Sequence, residues 1–293
     1  MWLSWNMGAL LAACLAGVGL AARRLPGKGW SALADFSIEA SIVAALYSVW
    51  QLIGSVVSAG ATGALAHGRW VMSVEHAMHL PSELSWQRAI LGNRLLVEAS
   101  NAFYAIAHVP ALGIFLVWLF VRHREDYADI RNVLAILTLA CFLIHLVPVA
   151  PPRLLSGTGF VDTGLRYHQS VYGPVGTGIS DQVSAMPSVH IAWAALIAWG
   201  VIKVSSSRWR WLILAHPVLT MVVVVVTANH FWLDGLVGAA LILPTAYVAW
   251  AARIAFGRAR PEAQPPAVAP ALASQSLVSE RLQERRVPIP ARE

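Results

Sequence analysis

Charge is what this chain has least of. Only 12% of its 293 residues are charged while 57% are hydrophobic, and the mean hydropathy is +0.61. Those values exclude a soluble domain of this length and describe a polytopic membrane protein. Cysteine is nearly absent: Cys14 and Cys141 stand far apart, each inside an apolar run. That excludes a disulfide framework and a thiolate zinc site. Met1 to Gly8 hold no charged side chain, so the first apolar run reads as an anchor helix and not as a cleaved signal peptide, which would start on a basic stretch. Internal repeats, the mark of many transporters, are missing too.

What is present is a series of seven apolar runs, each near the twenty residues a helix needs to cross a bilayer. They are Trp2–Ala22, Phe36–Ser58, Asn101–Val121, Val133–Val149, Pro187–Val204, Trp211–Ala228 and Phe231–Trp250. The expected fold is therefore an all-α integral membrane protein with about seven transmembrane helices. Basic residues gather between the runs: Arg23, Arg24 and Lys28; Arg122, Arg124 and Arg131; Lys203, Arg208 and Arg210; Arg253, Arg258 and Arg260. Simple alternation puts all four groups on one side, which is then cytoplasmic. The net charge of +6 is thus a positive-inside pattern, and nucleic acid is not an expected partner. The N-terminus falls outside and the C-terminus inside, in a plasma membrane of bacterial type.

Four regions follow: residues 1–58 with two spans, 59–100 as an outer segment, 101–252 as the main helical core, and 253–293 as a cytoplasmic tail. The tail is rich in Pro, Ala, Gln, Glu and Arg and reads as disordered from residue 258, with a short helix over Gln275–Arg286. In the outer segment, Ser85–Ser100 mixes Trp86, Ile90, Leu91 and Leu95 with Arg88, Arg94 and Glu98, which suits a helix lying in the interface as a cover. The outer stretch 150–186 is rich in Gly and Pro and reads as a long loop.

Polar residues at the outer ends of these runs need an explanation. His230 and Asp234 are four apart, which on a helix puts them on one face about 6 Å from each other. A carboxylate there accepts a hydrogen bond from one imidazole nitrogen and leaves the other nucleophilic. Arg153 follows two prolines, Pro151 and Pro152; it either snorkels to head groups or holds phosphate oxygens bidentately. In Ser184-Ala-Met-Pro-Ser-Val-His190, Pro187 suits the first turn of a helix, so Ser188 and the free N–H groups of that turn can bind an anion beside His190. Asn101, Tyr104 and His108 recur at helical spacing down one stripe, with Glu98 just before. The stripe lines a head-group pocket or forms a structural hydrogen-bond network. His145, alone in its span, reads as structural.

Three of these stretches together carry a resemblance. Pro148-Val-Ala-Pro-Pro-Arg153, Ala185-Met-Pro-Ser-Val-His190 and Asn229-His-Phe-Trp-Leu-Asp234 resemble the signature motifs of the type 2 phosphatidic acid phosphatase (PAP2) superfamily. They look most like its branch related to inositol phosphorylceramide synthases. Gly159-Phe-Val-Asp162 and the Asn101, Tyr104, His108, Pro110 stripe are similar to that branch as well. The resemblance spans residues 70–252 and implies a helical core with its active site at the extracytoplasmic face. It implies that His230 attacks phosphorus to give a phosphohistidine, that Asp234 orients it, and that His190 serves as acid and then base. Arg153 and Ser188 would hold the phosphate, with no metal or other cofactor. The partners implied are a membrane lipid bearing a phosphate mono- or diester and a water or hydroxyl acceptor.

The phosphatase pattern has Lys where this chain has Leu146, Pro where it has Leu154, and Arg where it has Val224. Fewer cations suit a phosphodiester better than a monoester dianion, which favours head-group transfer, of the phosphoinositol kind, over hydrolysis; Tyr104, His108 or Arg166 are the side chains that would substitute. Readings from other classes stay open beside this one. Intramembrane His, Asp and Arg also serve proton relays in transporters, and Ser188 with a histidine would suit an intramembrane protease.

Overall fold

The computed structural model describes residues 4–57, 63–170 and 181–255. The expected tail beyond 255, including Gln275–Arg286, lies outside the described residues, as do residues 171–180 of the outer loop. Twelve α-helices make up the described chain: α1 (Trp5–Ala22), α2 (Lys28–Val57), α3 (Ala64–Ala77), α4 (Glu83–Leu91), α5 (Arg94–Ile106), α6 (His108–Arg122), α7 (Arg124–His145), the single turn α8 (Thr163–Arg166), α9 (Val189–Val204), α10 (Ala215–Val226), α11 (Trp232–Ala240) and α12 (Ile242–Ala255). No strand occurs among the described residues; one isolated bridge joins Val149 to Ser184.

Five helical stretches are long and apolar enough to cross a bilayer: Trp5–Ala22, Lys28–Val49, Arg124–His145, Arg208–Val226 and Trp232–Ala255. The pair α5 and α6 makes a sixth, bent by 48°. The expected single span Asn101–Val121 is therefore broken. Pro110 lacks the N–H that would reach the Ile106 carbonyl, and its ring crowds that turn, so the helix kinks at Ala107. The seventh run, α9, is only 16 residues long, about 24 Å. It starts at Val189, leaving Pro187 outside the helix and not in its first turn as expected. α9 is also the most enclosed helix: Ile191, Ala192, Ala194, Leu196, Ile197, Ala198 and Gly200 are all buried. A helix wrapped by α6, α7, α10 and α11 need not match the bilayer thickness itself.

The core lies between α6, α7, α9 and α12, where Phe115, Leu119, Ile130, Leu137, Leu196 and Ile242 pack together. α6 and α9 meet closely at Gly200, where any added Cβ would fall 2.5 Å from the Phe115 ring. α7 runs about 33 Å and fixes the long axis. At its start Arg124 and Arg131 pair with Asp35 and Glu39 of α2. At its end His145 donates from Nε2 to the Pro187 carbonyl at 2.9 Å. The basic loop before α7 and the polar turn that carries Pro187 thus sit at opposite ends of a bilayer-length helix.

Within the segment 59–100, the described helices do more than cover the core. The expected helix Ser85–Ser100 is two, α4 and α5, parted at Gly92 and Asn93, where Asn93 caps α5 by accepting from the Leu96 N–H. Gln87 is fully buried and clamps the Val161 backbone, donating to its carbonyl at 2.8 Å and accepting its N–H at 2.9 Å. α3 meets the 148–155 stretch at Gly68, where an added Cβ would lie 2.5 Å from the Ala150 carbonyl.

Candidate active site

His230 does not sit on a helix, as its spacing from Asp234 had suggested. α10 ends at Val226, Ala228 takes a left-handed conformation (φ 52°), and α11 starts at Trp232 with Phe231 as its N-cap. The N–H groups of Asn229 and His230 both point back to the Val224 carbonyl, at 3.0 and 3.1 Å. His230 and Asp234 still meet, because Asp234 occupies the third helical position and reaches back. Its Oδ2 accepts the Phe231 N–H at 2.8 Å, the carboxylate half of a capping box. The same oxygen is 3.4 Å from His230 Nδ1. The nearer partner of Nδ1 is the Ala185 carbonyl, at 2.8 Å. A carbonyl only accepts, so Nδ1 carries the proton and Nε2 is the nitrogen with the lone pair. Asp234 is fully buried and His230 nearly so, at 5% exposure.

The Ala185 carbonyl is held by a short backbone ladder. Val149 N–H donates to Val183 and Ala185 N–H donates to Val149, at 2.7 and 3.0 Å. This ladder joins the stretch carrying Arg153 to the one carrying His190. His190, in the first turn of α9, brings its ring centroid within 5.7 Å of that of His230. Tyr104 lies 4.6 Å from His190 and 6.4 Å from His230, and His108 lies 4.5 Å from His190. The bend between α5 and α6 thus keeps Tyr104 and His108 on one buried stripe facing both histidines.

Arg153 sits in a 3-10 turn over Pro152–Leu154. Its N–H donates to the Ala228 carbonyl at 3.0 Å, which ties it to the turn bearing His230. The guanidinium is 3% exposed and donates from Nε to Asn229 Oδ1 and from Nη1 to Asp162 Oδ2, both at 2.9 Å. So it does not snorkel. Asp162 in turn caps α8 by accepting the Leu165 N–H. Beside Arg153 opens a small pocket lined by Asn101, Tyr104, Asp162, Gly164, Gln169, Ser170 and Asn229. Asn101 serves both readings of its stripe: it lines this pocket, and it exchanges hydrogen bonds with Thr163 and Gln169.

Ser188 departs from expectation. It is fully buried, its N–H donates to the Asp234 carbonyl at 2.9 Å, and its Oγ caps α9 at the Ile191 N–H. Its own N–H is therefore committed and not free for an anion. Ser188 instead ties the His190 turn to the turn bearing Asp234. Among the described residues, no group of three or more His, Cys, Asp or Glu residues is placed to hold a metal ion.

A model of the PAP2 superfamily matches residues 69–248, well over half of the chain. The chain belongs to the PAP2 superfamily. No curated protein and no solved structure matched it. Within this PAP2 protein, Leu146 and Val224 stand where cations were expected and Leu154 where a proline was. Val224 is fully buried beside Tyr104 and Ile191, Leu146 is exposed at the end of α7, and Leu154 packs with Val149 and Leu155. Arg166, a suggested substitute, is exposed, lies near the Tyr167 ring, and does not line the pocket.

Three groups around the site escaped sequence reasoning. Asn229 opens the third motif with no role of its own expected, yet it accepts from Arg153 Nε and orients the guanidinium. Gln169 completes the Asn101 network. Glu75 accepts the Leu233 N–H at 2.7 Å, and it had a readable signal. Ala64, Gly68, Val71 and Glu75 are the buried face of α3, so Glu75 continues an apolar stripe at helical spacing.

Proposed function

We propose that this PAP2 protein is a membrane-embedded phosphatase or phosphotransferase acting on a lipid phosphate ester at the extracytoplasmic face. The observation that carries the reading is the tautomer of His230: its Nδ1 donates to the Ala185 carbonyl, leaving Nε2 basic next to His190. In the first half-reaction Nε2 attacks phosphorus, the P–O bond to the leaving oxygen breaks, and that oxygen departs with the proton of His190. In the second, neutral His190 takes a proton from water or an alcohol, whose oxygen attacks phosphorus. The P–N bond breaks and its electron pair returns to Nε2. Arg153, held in place by Asn229 and Asp162, stabilises the charge that builds on the phosphoryl oxygens.

The finer reading is head-group transfer from a phosphodiester. Two observations support it: apolar residues at the positions of the missing cations, and a pocket beside Arg153 whose lining is mostly amide and hydroxyl groups suited to a polyol. The test uses the full chain in detergent with phosphatidic acid and phosphatidylinositol as substrates, with and without a lipid alcohol. His230→Ala, His190→Ala and Asp234→Ala are each expected to abolish turnover while the protein still inserts. Full activity in the His230 variant would sink the mechanism. Free phosphate from the monoester would make the protein a phosphatase, and an acceptor-dependent new phospholipid a transferase.

A further inference from the structure

Two buried carboxyl groups stand just outside the site and take no part in the steps above. Glu75 of α3 is 2% exposed and Glu83 of α4 is 3% exposed. Glu75 Oε2 and Glu83 Oε1 are each buried without a hydrogen-bond donor, and Glu83 is the carboxyl side chain that acts most strongly on Glu75. An ionised carboxyl only accepts, so two of them buried as neighbours are satisfied by a proton between them. Glu75 Oε1 accepts the Leu233 N–H at 2.7 Å, one residue from Asp234 and three from His230. The same helix start is pinned on its other side, where Trp232 Nε1 donates to the Pro81 carbonyl at 2.8 Å and its ring meets that of Trp86 edge-on at 5.3 Å.

We infer that Glu75 and Glu83 share one proton and act together as positioning residues, holding the start of α11 so that Asp234 and His230 keep their alignment. The role rests on the proposed function of His230. The charged groups that act on Glu75 are Glu83 from α4 and Asp234 from α11, both of its own sign; Asp234 is itself paired with His230. Losing the shared proton would therefore place three like charges around the first turn of α11. Burial, then the neighbouring Glu83 carboxyl, push the Glu75 carboxyl up to about 9. The sign follows: a carboxyl raised in the folded state binds its proton more tightly there than in the unfolded chain. Its contribution to stability is full below the ordinary carboxyl range and is lost as pH rises towards about 9.

Glutamine is the informative replacement. In Glu75→Gln the amide oxygen still accepts the Leu233 N–H and the NH₂ donates to Glu83; in Glu83→Gln the NH₂ donates to Glu75. Each mimics the singly protonated pair without its titration. Infrared spectra of the full-length protein in detergent, taken from pH 6 to 10, are expected to show a protonated-carboxyl stretch that fades on alkalinisation and that either glutamine variant removes. On phosphatidic acid and phosphatidylinositol, Glu75→Ala is expected to lose about 10²-fold in kcat with little change in KM, as a small misplacement of a nucleophile does. Glu75→Gln should rescue most of that loss and shift the alkaline limb of the pH profile upward. A carboxyl band insensitive to both glutamine variants overturns the shared proton. An Ala variant as active as the wild type, or a Gln variant with the parent's alkaline limb, overturns the positioning role. A wild-type protein inert towards both lipids overturns the functional reading and the positioning role with it, while the infrared band on the same sample still decides the proton.

Discussion

Gly238 offers the sharpest test of how the site is held. It lies on α11, where an added Cβ would meet the Ser188 carbonyl oxygen at 2.6 Å and the Ala192 nitrogen at 3.4 Å. Contacts below 3.0 Å are essentially never seen for a real Cβ, so Gly238→Ala must part α9 and α11 by at least about 0.4 Å. The oxygen it strikes is backbone and already accepts the Ala192 N–H, so it cannot swing aside as a flexible side chain would. Two energies oppose each other. Alanine gains about 1 kcal/mol of helix propensity over glycine, while overpacking a tight contact costs about 1–3 kcal/mol. The net effect on stability is a loss of up to about 2 kcal/mol. The effect on turnover should be larger, since the same contact spaces His190 from Asp234 through the Ser188 N–H bond. A shift of this size in a reacting geometry is expected to lower kcat about tenfold. Measuring kcat on phosphatidic acid and phosphatidylinositol, with thermal unfolding in the same detergent, checks both. A variant with parental kcat and raised stability would refute the close packing of these two turns as the device that aligns the site.

Two further outcomes bear on the proposed phosphate-holding role of Arg153. Arg153→Lys keeps the charge, but one ammonium cannot span Asn229 Oδ1 and Asp162 Oδ2 as the guanidinium does. kcat/KM is expected to fall about 10²-fold, and a value near the parent's would show that only the charge matters. Chelation tests the source of the positive charge: EDTA should leave turnover as it is, whereas loss restored by Zn²⁺ would mean that a metal supplies what is assigned here to Arg153.

The apolar runs, the basic loops between them, and the residue types in the three motifs were all readable along the chain. So was the need of His145 for a hydrogen-bond partner, since it is a lone histidine in an apolar run; that partner is the Pro187 carbonyl. The bend at Ala107 was readable in principle from Pro110. What was not readable was which polar groups are already spent. Ser188 looked free to bind an anion because its partner, the Asp234 carbonyl, is 46 positions further on. His230 looked to depend on Asp234 because the two are near in sequence, while its closer partner is the Ala185 carbonyl.

Periodicity and hydropathy are local, so the sequence by itself determined that the chain is a helical membrane protein and which residue types stand in its three motifs. Backbone carbonyls and N–H groups are the same in every residue and leave no mark in the sequence. Only the tertiary structure decided which of them fixes the tautomer of His230, ties the Ser188 turn to the Asp234 turn, and sets Glu75 against the start of α11.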